Sequence, residues 1–252
     1  VELIHNATLL HDDVIDNSSL RRGIKTSNNI WGNQSSILVG DYLFSRCFEM
    51  MVEDGSQEIL KLLSSTSSKI AQGEVLQLEN KGEIDILEET YFNIINSKTA
   101  TLFAAATRVG ACISSRNKKE KDALESYGRN LGLAFQIADD ALDYYSNKMI
   151  FGKEIGKDFF EGKVTLPIIF LYQKADLNEK IFIEKTFKKK NRSKTEYNET
   201  QNLLKKYNSI DLCFKRAEHF VTISYNALNI FKPSREKIIL QNLTSYSLER
   251  SF

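Results

Sequence analysis

Apolar residues recur at spacings of three and four along most of this chain, which is the repeat of an amphipathic α-helix. Prolines interrupt helices, and the sequence contains only Pro167 and Pro233. The pattern therefore predicts an all-α fold. The predicted helices span residues 1–15, 37–53, 57–79, 87–114, 118–146, 165–174, 177–188, 196–206, 210–230 and 234–249.

Two polar stretches containing glycines interrupt the helical pattern and are predicted to be loops. They are residues 17–33 and 147–162, and each follows a helix that ends in an acidic motif. No shift in composition separates one part of the 252 residues from another, so we predict a single domain over residues 1–252. The pattern is already helical at Val1, without a capping residue, and we therefore expect this domain to be truncated at its N-terminus.

Composition and charge exclude several classes of protein. Lys and Arg number 34 against 33 Asp and Glu, which leaves no net field to attract nucleic acid. Cys47, Cys112 and Cys213 lie far apart, so neither a disulfide framework nor a zinc site is predicted. The longest apolar stretch, 100–113, is too short for a bilayer and is interrupted by Arg108, so we expect no transmembrane segment and a cytoplasmic location.

The candidate chemistry lies in two copies of the pattern DDxxD. The copies are Asp12, Asp13 and Asp16 in HDDVID, and Asp139, Asp140 and Asp143 in ADDALD. On a helix the first and last carboxylates of each copy share one face, about 6 Å apart. Carboxylate oxygens suit Mg²⁺, which is usually shared between one or two carboxylates and substrate phosphates. The motifs therefore predict magnesium sites.

These charged residues also have plainer interpretations. A single DDxxD is as easily an exposed acidic turn, but both copies lie in apolar sequence, where uncompensated charges are costly to bury. A calcium loop would need alternating acidic residues, a turn glycine and a closing Glu. The basic run at 188–194 is interpreted as a solvated surface loop.

Basic residues near these motifs indicate that the ligand carries phosphates. Arg21 and Arg22 follow the first motif, and Lys153 and Lys163 flank the second predicted loop. Lys98 and Thr99 begin the segment KTATLFAAAT, where a helix start would offer free N–H groups to a phosphate. Because Lys and Arg form charge-assisted hydrogen bonds with phosphate oxygens, we predict a diphosphate as the ligand.

These segments resemble the trans-isoprenyl diphosphate synthases, which are class I prenyltransferases. LLHDDVIDNSSLRRG is similar to their first aspartate-rich motif with its arginine pair, and SKTA to their KT motif. GLAFQIADDALDYY and GKEIGKDFFEGKVTLP are similar to their second aspartate-rich motif and lysine loop. Together with GEVLQL, these segments most resemble long-chain bacterial synthases of the octaprenyl and decaprenyl type. The resemblance covers essentially the whole chain and implies a helical bundle around a central cavity.

The resemblance also assigns roles to individual residues. It implies that Asp12 and Asp16 hold two Mg²⁺ ions, and that Asp139, with help from Asp143, holds a third on the opposite wall. The residues implied to bind the allylic diphosphate are Arg21, Lys98, Thr99, Gln136 and Lys153, with Lys163 nearby. Those implied to bind isopentenyl diphosphate are Arg22 and His5, although His5 taken alone would be a core histidine. The catalytic set is Asp12, Asp16, Lys98 and Asp139.

The expected reaction adds isopentenyl diphosphate to an allylic diphosphate in trans and gives a long polyprenyl diphosphate, a quinone side-chain precursor. The small Ala7, five residues before Asp12, favours a deep product tunnel, unless Ala7 is ordinary helix packing. Relatives in this family carry an upstream segment of Lys and Arg that helps bind isopentenyl diphosphate. We expect that segment to precede Val1.

The resemblance further implies a homodimer, with peripheral membrane contact for product delivery. Two alternatives remain open at this point. A class I terpene cyclase has the first acidic motif but replaces the second with an Asn/Ser/Glu type of metal site. A non-catalytic subunit of a heteromeric synthase would be expected to lose metal carboxylates.

Overall fold

The structure is a computed structural model that describes residues 1–21, 23–145 and 156–249. Helices make up most of the described part, and the all-α prediction is confirmed. By its contacts the described part divides into two compact units, residues 1–68 and residues 69–249. The single-domain interpretation stays a prediction.

The first unit contains two long helices and a small hairpin. Its elements are α1 (Glu2–Ile15), β1 (Leu20–Arg21), β2 (Ile24–Lys25), α2 (Ser27–Trp31), α3 (Asn33–Asp54) and the beginning of α4 (Gln57–Glu79). The strands pair antiparallel, with Leu20 opposite Lys25. The turn between them includes Gly23, whose φ of 77° suits glycine. The prediction of a plain loop over 17–33 was therefore wrong, because this stretch forms the hairpin and α2.

Contacts between α1 and α3 fix the end of α1, where the first acidic motif begins. A Cβ added at Gly40 would clash with the His11 ring, so glycine at this position permits the ring to pack here. The His11 Nε2 lies 3.2 Å from the Ile37 carbonyl oxygen, and the Ser36 hydroxyl donates to the Leu10 carbonyl at 3.1 Å. These polar contacts orient the last turns of α1.

The second unit holds the remaining helices. After the last part of α4 these are α5 (Glu88–Ile95), a π-helical segment (Asn96–Ala100), α6 (Thr101–Ile113), α7 (Lys118–Tyr145), α8 (Lys157–Glu161), α9 (Leu166–Lys174), α10 (Leu177–Phe187), α11 (Lys194–Lys206), α12 (Ser209–Ala227), a 3₁₀ turn (Leu228–Ile230) and α13 (Arg235–Glu249). The side chains of Asp176 and Ser193 form capping boxes at the starts of α10 and α11.

Helix α7 is the central helix of this unit and packs chiefly against α6 and α12. Two glycines allow the close approach on the α6 side. A Cβ at Gly128 would clash with the Phe103 carbonyl oxygen, and one at Gly132 would lie 2.6 Å from Ala100 Cα. Glycine therefore permits α6 to approach α7 closely at Gly128, and the π-helical segment to do so at Gly132. None of the described helices is long and apolar enough to span a membrane.

Candidate active site

The first acidic motif occupies the last turn of α1. The backbone N–H of Asp16 donates to the Asp12 carbonyl at 2.8 Å, so these two residues are one helical turn apart, as predicted. Both are partly buried, whereas Asp13 is only 4% exposed. The motif therefore has two outer carboxylates and one that is buried.

Arg21 binds the buried carboxylate of Asp13. Its Nε lies 3.0 Å from Asp13 Oδ1 and 3.2 Å from Oδ2, and its second terminal nitrogen lies 2.8 Å from Oδ1. Strand β1 carries Arg21 back to the helix end for this pairing. The prediction that Arg21 binds the diphosphate therefore requires Arg21 to do so while it is paired with Asp13. The Asp13 carboxylate itself is buried and is not an exposed metal ligand. Arg22 lies outside the described residues.

An apolar cleft of about 410 Å³ adjoins this motif within the first unit. Its lining is Leu3, Asn6, Leu9, Leu10, Asp13, Arg21 and Leu43. Ala7 has no exposed surface and does not line the cleft, so its role in product length stays a prediction. His5 lies two turns before Asp12; its side chain is 43% exposed, and its Nδ1 lies 3.9 Å from the Glu2 carboxylate.

The second acidic motif lies in the last two turns of α7. Asp139 and Asp143 are partly buried, and Asp140, like Asp13, is buried at 5% exposure. The Asp140 carboxylate accepts two hydrogen bonds: one from the Tyr91 hydroxyl at 2.7 Å and one from the Gln136 amide at 2.8 Å. Burial raises the pKa of Asp140, and the negative charge of Asp158 raises it further, while these two hydrogen bonds oppose the shift.

Asp143 connects the motif to α8. Its two carboxylate oxygens accept the backbone N–H groups of Lys157 at 3.1 Å and Asp158 at 2.9 Å. Burial raises the pKa of Asp143, and the negative charge of Asp158 adds to the effect. Several carboxylates thus raise one another's pKa at this helix end, a repulsion that a divalent cation would relieve. Asp158 was not among the predicted site residues.

Lys98 and Thr99 lie in the π-helical segment between α5 and α6. This corrects the expectation that they begin a helix: the helical turns continue through them, so the argument from free N–H groups does not apply. A π turn inserts a residue into a helix and often occurs at a functional site. A Cβ at Gly73 of α4 would lie 2.8 Å from the Lys98 backbone nitrogen, so glycine also permits the approach of α4.

The side chains of Lys98 and Thr99 already have partners within the second unit. The Lys98 ammonium donates to Glu74 at 2.8 Å and to the Gln77 side-chain oxygen at 3.0 Å. The Thr99 hydroxyl donates to the Gln136 side-chain oxygen at 2.8 Å. The structure therefore brings Lys98, Thr99 and Gln136 into one polar region with Glu74, which had been assigned no role from sequence.

Lys163 follows α8 and forms an ion pair with Glu161 at 2.8 Å, with its side chain only 15% exposed. The other lysine predicted in this region, Lys153, lies outside the described residues. The polar groups of Lys163 are thus held close to α8, the helix whose first backbone N–H groups bind Asp143.

Both motifs fit magnesium shared with a phosphate ligand. In the part of the chain described, no group of three or more His, Cys, Asp or Glu side chains could hold a metal ion by itself. Each motif instead provides two outer carboxylates one helical turn apart. Mg²⁺ is usually held by one or two carboxylates together with substrate phosphates, so this donor set suits it.

Several contacts at the site carried no local sequence signal. Asp13 and Arg21 are eight residues apart, and Tyr91 and Asp140 are 49 apart. Glu74 lies in the segment GEVLQL, which was noticed only for its resemblance to a family motif. The only sequence signal for a role of Glu74 was that it is an ionisable residue in a segment that resembles a family motif.

Comparisons with known proteins agree with this geometry. A family model described as Polyprenyl synthetase matches residues 1–204. The chain is 35% identical over its whole length to an octaprenyl diphosphate synthase of Haemophilus influenzae and spans 76% of that protein. It is 38% identical over 250 residues, 99% of the chain, to the geranyl-diphosphate-specific all-trans-nonaprenyl-diphosphate synthase of Rhodobacter capsulatus, of which it spans 76%.

Among solved structures, a polyprenyl synthase of Caulobacter crescentus, crystallised with calcium and isoprenyl diphosphate, is similar throughout. The TM-score is 0.95 and the sequence identity 39%, and the match covers all of this chain and 76% of that one. The similarity therefore extends through both units.

Proposed function

This chain belongs to the polyprenyl synthetase family, and on that premise we propose which of its residues perform trans-prenyl transfer. Its relatives include long-chain polyprenyl diphosphate synthases, and the chain is a prenyltransferase that elongates polyprenyl products. The proposed substrates are isopentenyl diphosphate and an allylic diphosphate, and the proposed product is a long-chain polyprenyl diphosphate of the kind used for quinone side chains.

The outer carboxylates are the proposed metal ligands: Asp12, Asp16, Asp139 and Asp143. With substrate bound we propose three Mg²⁺ ions, two at the first motif and one at the second. Bound Mg²⁺ would draw charge from the diphosphate oxygens and so favour its departure from the allylic carbon. Asp13 and Asp140 would serve the motifs from within the protein, since they are only 4% and 5% exposed and bind Arg21 and the pair Tyr91 and Gln136, respectively.

Cationic and polar side chains complete the proposed diphosphate site. For the allylic substrate these are Arg21, Lys98, Thr99, Gln136, Lys153 and Lys163, and for isopentenyl diphosphate they are His5 and Arg22. Lys98 is placed by Glu74 and Gln77 before substrate arrives, so its ammonium needs little reorganisation. Such preorganised charge is usually the largest catalytic contribution.

The chemical steps follow from charge separation. The allylic C–O bond breaks to give a carbocation and diphosphate, and the double bond of isopentenyl diphosphate attacks the cation. A proton then leaves, with the released diphosphate as the proposed acceptor, and the product is again an allylic diphosphate. The residues bind, orient and stabilise charge, so no covalent nucleophile is required.

One observation carries this proposal: each of two acidic motifs holds its middle carboxylate inward and leaves its outer pair one turn apart. A terpene cyclase would lack the second of these motifs, and a non-catalytic subunit would lack metal carboxylates, so neither alternative is favoured. The relatives likewise are elongating synthases.

We also propose a homodimer. Helix α3 carries large apolar side chains that are exposed in the single chain, including Leu38 at 67%, Tyr42 at 66% and Val52 at 65%. A second copy of the chain could cover this face, as exposed apolar patches of this kind often mark interfaces. Light scattering after size-exclusion chromatography would give twice the chain mass. Peripheral contact with a membrane, for release of an apolar product, stays a prediction.

The function is tested by incubating the full-length protein with labelled isopentenyl diphosphate, geranyl or farnesyl diphosphate, and Mg²⁺. Mass analysis should show products that grow by whole isoprene units and disappear when EDTA is added. Hydrocarbon formed from the allylic diphosphate alone would instead identify a cyclase. An absence of product with every primer would contradict the proposal.

A further inference from the structure

We propose that Tyr91 is a positioning residue for allylic diphosphate binding, acting through Asp140 and Gln136 on Thr99. The proposal rests on the proposed function, since Gln136 and Thr99 are assigned there to the allylic diphosphate. Tyr91 itself is 2% exposed and cannot touch a ligand in the site. Its effect must therefore pass through its hydrogen-bond partner.

Four side chains form a continuous hydrogen-bonded chain that links α7 to α5 and to the π-helical segment. The Tyr91 hydroxyl binds one oxygen of Asp140 at 2.7 Å, and the Gln136 amide binds the other at 2.8 Å. The Gln136 side-chain oxygen in turn accepts from the Thr99 hydroxyl at 2.8 Å. Asp140 and Gln136 are one turn apart on α7, so the two cross-links to α5 and the π-helical segment lie one above the other.

The hydrogen bonds in this chain have a consistent direction. Gln136 presents its NH₂ group to Asp140 and its oxygen to Thr99. The Thr99 hydroxyl donates to this same Gln136 oxygen. The positions of Gln136 and Thr99, both assigned to the allylic diphosphate, therefore depend on the arrangement at Asp140.

Tyr91 holds the Asp140 carboxylate in place at one end of this hydrogen-bonded chain. Its hydroxyl is a buried donor with one acceptor, and burial together with Asp140 raises its pKa well above the usual value, so it stays protonated as the donor. Without it, one oxygen of the buried Asp140 loses its partner. The carboxylate could then rotate toward Gln136, and the Gln136 amide and the Thr99 hydroxyl would no longer be held in one arrangement.

The test compares Tyr91→Phe with Tyr127→Phe. Tyr127 is a matched control because it is also buried, at 1% exposure, and its hydroxyl donates to the Leu240 carbonyl at 2.9 Å, away from the acidic motif. Loss of one buried hydrogen bond in the network should raise the KM for geranyl diphosphate about tenfold in Tyr91→Phe. The KM for isopentenyl diphosphate should stay within about twofold, and Tyr127→Phe should leave both constants within about twofold, since a bond that does not contact the site lowers stability instead.

A second variant, Thr99→Val, removes the hydroxyl at the other end of the hydrogen-bonded chain. Thr99 is partly buried, so this change does not disturb the core around Tyr91. If the chain of hydrogen bonds is one unit, Tyr91→Phe combined with Thr99→Val should raise the KM for geranyl diphosphate no more than the larger single change. Tyr127→Phe combined with Thr99→Val should give the product of the single effects. A merely structural role of Tyr91 would not produce the first result.

Calorimetric titration of each variant with geranyl diphosphate and Mg²⁺ gives the same comparison without turnover. Wild-type protein that binds geranyl diphosphate but forms no product would count against the proposed function and leave the positioning role testable by affinity. The positioning role is overturned if Tyr91→Phe matches Tyr127→Phe in KM and affinity, or if its effect multiplies with that of Thr99→Val.

Discussion

The two acidic motifs have the same spacing but hold their middle carboxylates in different ways. Asp13 and Asp140 are equally buried, at 4% and 5% exposure. Asp13 is neutralised by the guanidinium of Arg21, whereas Asp140 is held by the neutral donors Tyr91 and Gln136. One motif thus buries a compensated charge, and the other buries a carboxylate whose pKa is raised.

Under the proposed function, the comparison indicates that the repeated pattern has two separate tasks. The middle Asp anchors each motif within its own unit, and the outer pair is the proposed metal site. One anchor is an ion pair and the other is a set of neutral hydrogen bonds, so the two should respond differently to substitution and to salt. The following predictions separate these tasks, from the largest expected effect to the smallest.

The largest effect should follow from removing an outer carboxylate. Asp12→Ala and Asp139→Ala should each lower kcat on the order of 10²- to 10³-fold, because each removes a ligand for the charge that assists diphosphate departure. Asp122→Ala is a control on α7, where Asp122 is exposed and paired with Arg108. Steady-state rates at saturating Mg²⁺ measure the effect. Retention of more than about a third of the activity by Asp139→Ala would contradict its catalytic role.

A product-length comparison uses two alanines in equivalent positions. Ala7 lies five residues before Asp12 and Ala134 five before Asp139, and both have 0% exposure. Tyrosine at either position should destabilise the fold by about 1–3 kcal/mol through overpacking. Only Ala7→Tyr should shorten the product, since the tunnel is predicted to run along α1. Mass analysis decides, and a wild-type product distribution from folded Ala7→Tyr would reject the tunnel assignment.

The smallest effect concerns the anchors themselves. Asp13→Asn should lower the free energy of unfolding by about 1–2 kcal/mol, because it removes a multidentate pair with a partly exposed Arg21. Asp140→Asn should cost less at pH 8, since burial already disfavours the charge that it removes. Urea unfolding at low and high salt measures both. The difference between the two variants in lost free energy of unfolding should become smaller at high salt, where the Asp13–Arg21 ion pair is screened. A larger loss for Asp140→Asn at both salt concentrations would contradict the assignment of an ion pair to one anchor and neutral hydrogen bonds to the other.

Sequence patterns predicted the helices well because packing imposes a clear periodicity. The prediction for 57–79 coincides with α4, and the end of the predicted 165–174 helix coincides with the end of α9. The π turn at Lys98 was missed because one inserted residue hardly changes the apolar repeat over a 28-residue segment. The hairpin around Gly23 was missed because its strands are only two residues long.

The candidate site was predictable only in part, for a different reason. The acidic residues and lysines form short local motifs, so their identity could be read from the sequence. Their partners come from distant segments: Glu74 for Lys98, and Tyr91 for Asp140. Such pairings depend on helix packing and on close approaches at residues such as Gly73 and Gly132, which no local pattern contains.

The central claim is that the outer carboxylates hold the metal and the middle ones hold the motifs in place. Mn²⁺ binding, measured by electron paramagnetic resonance with inorganic diphosphate present, tests it most directly. Asp13→Asn and Asp140→Asn should bind as many ions as the wild type, whereas Asp12→Ala and Asp139→Ala should each lose ions at their own motif. Equal loss in Asp140→Asn and Asp139→Ala would contradict the division of tasks.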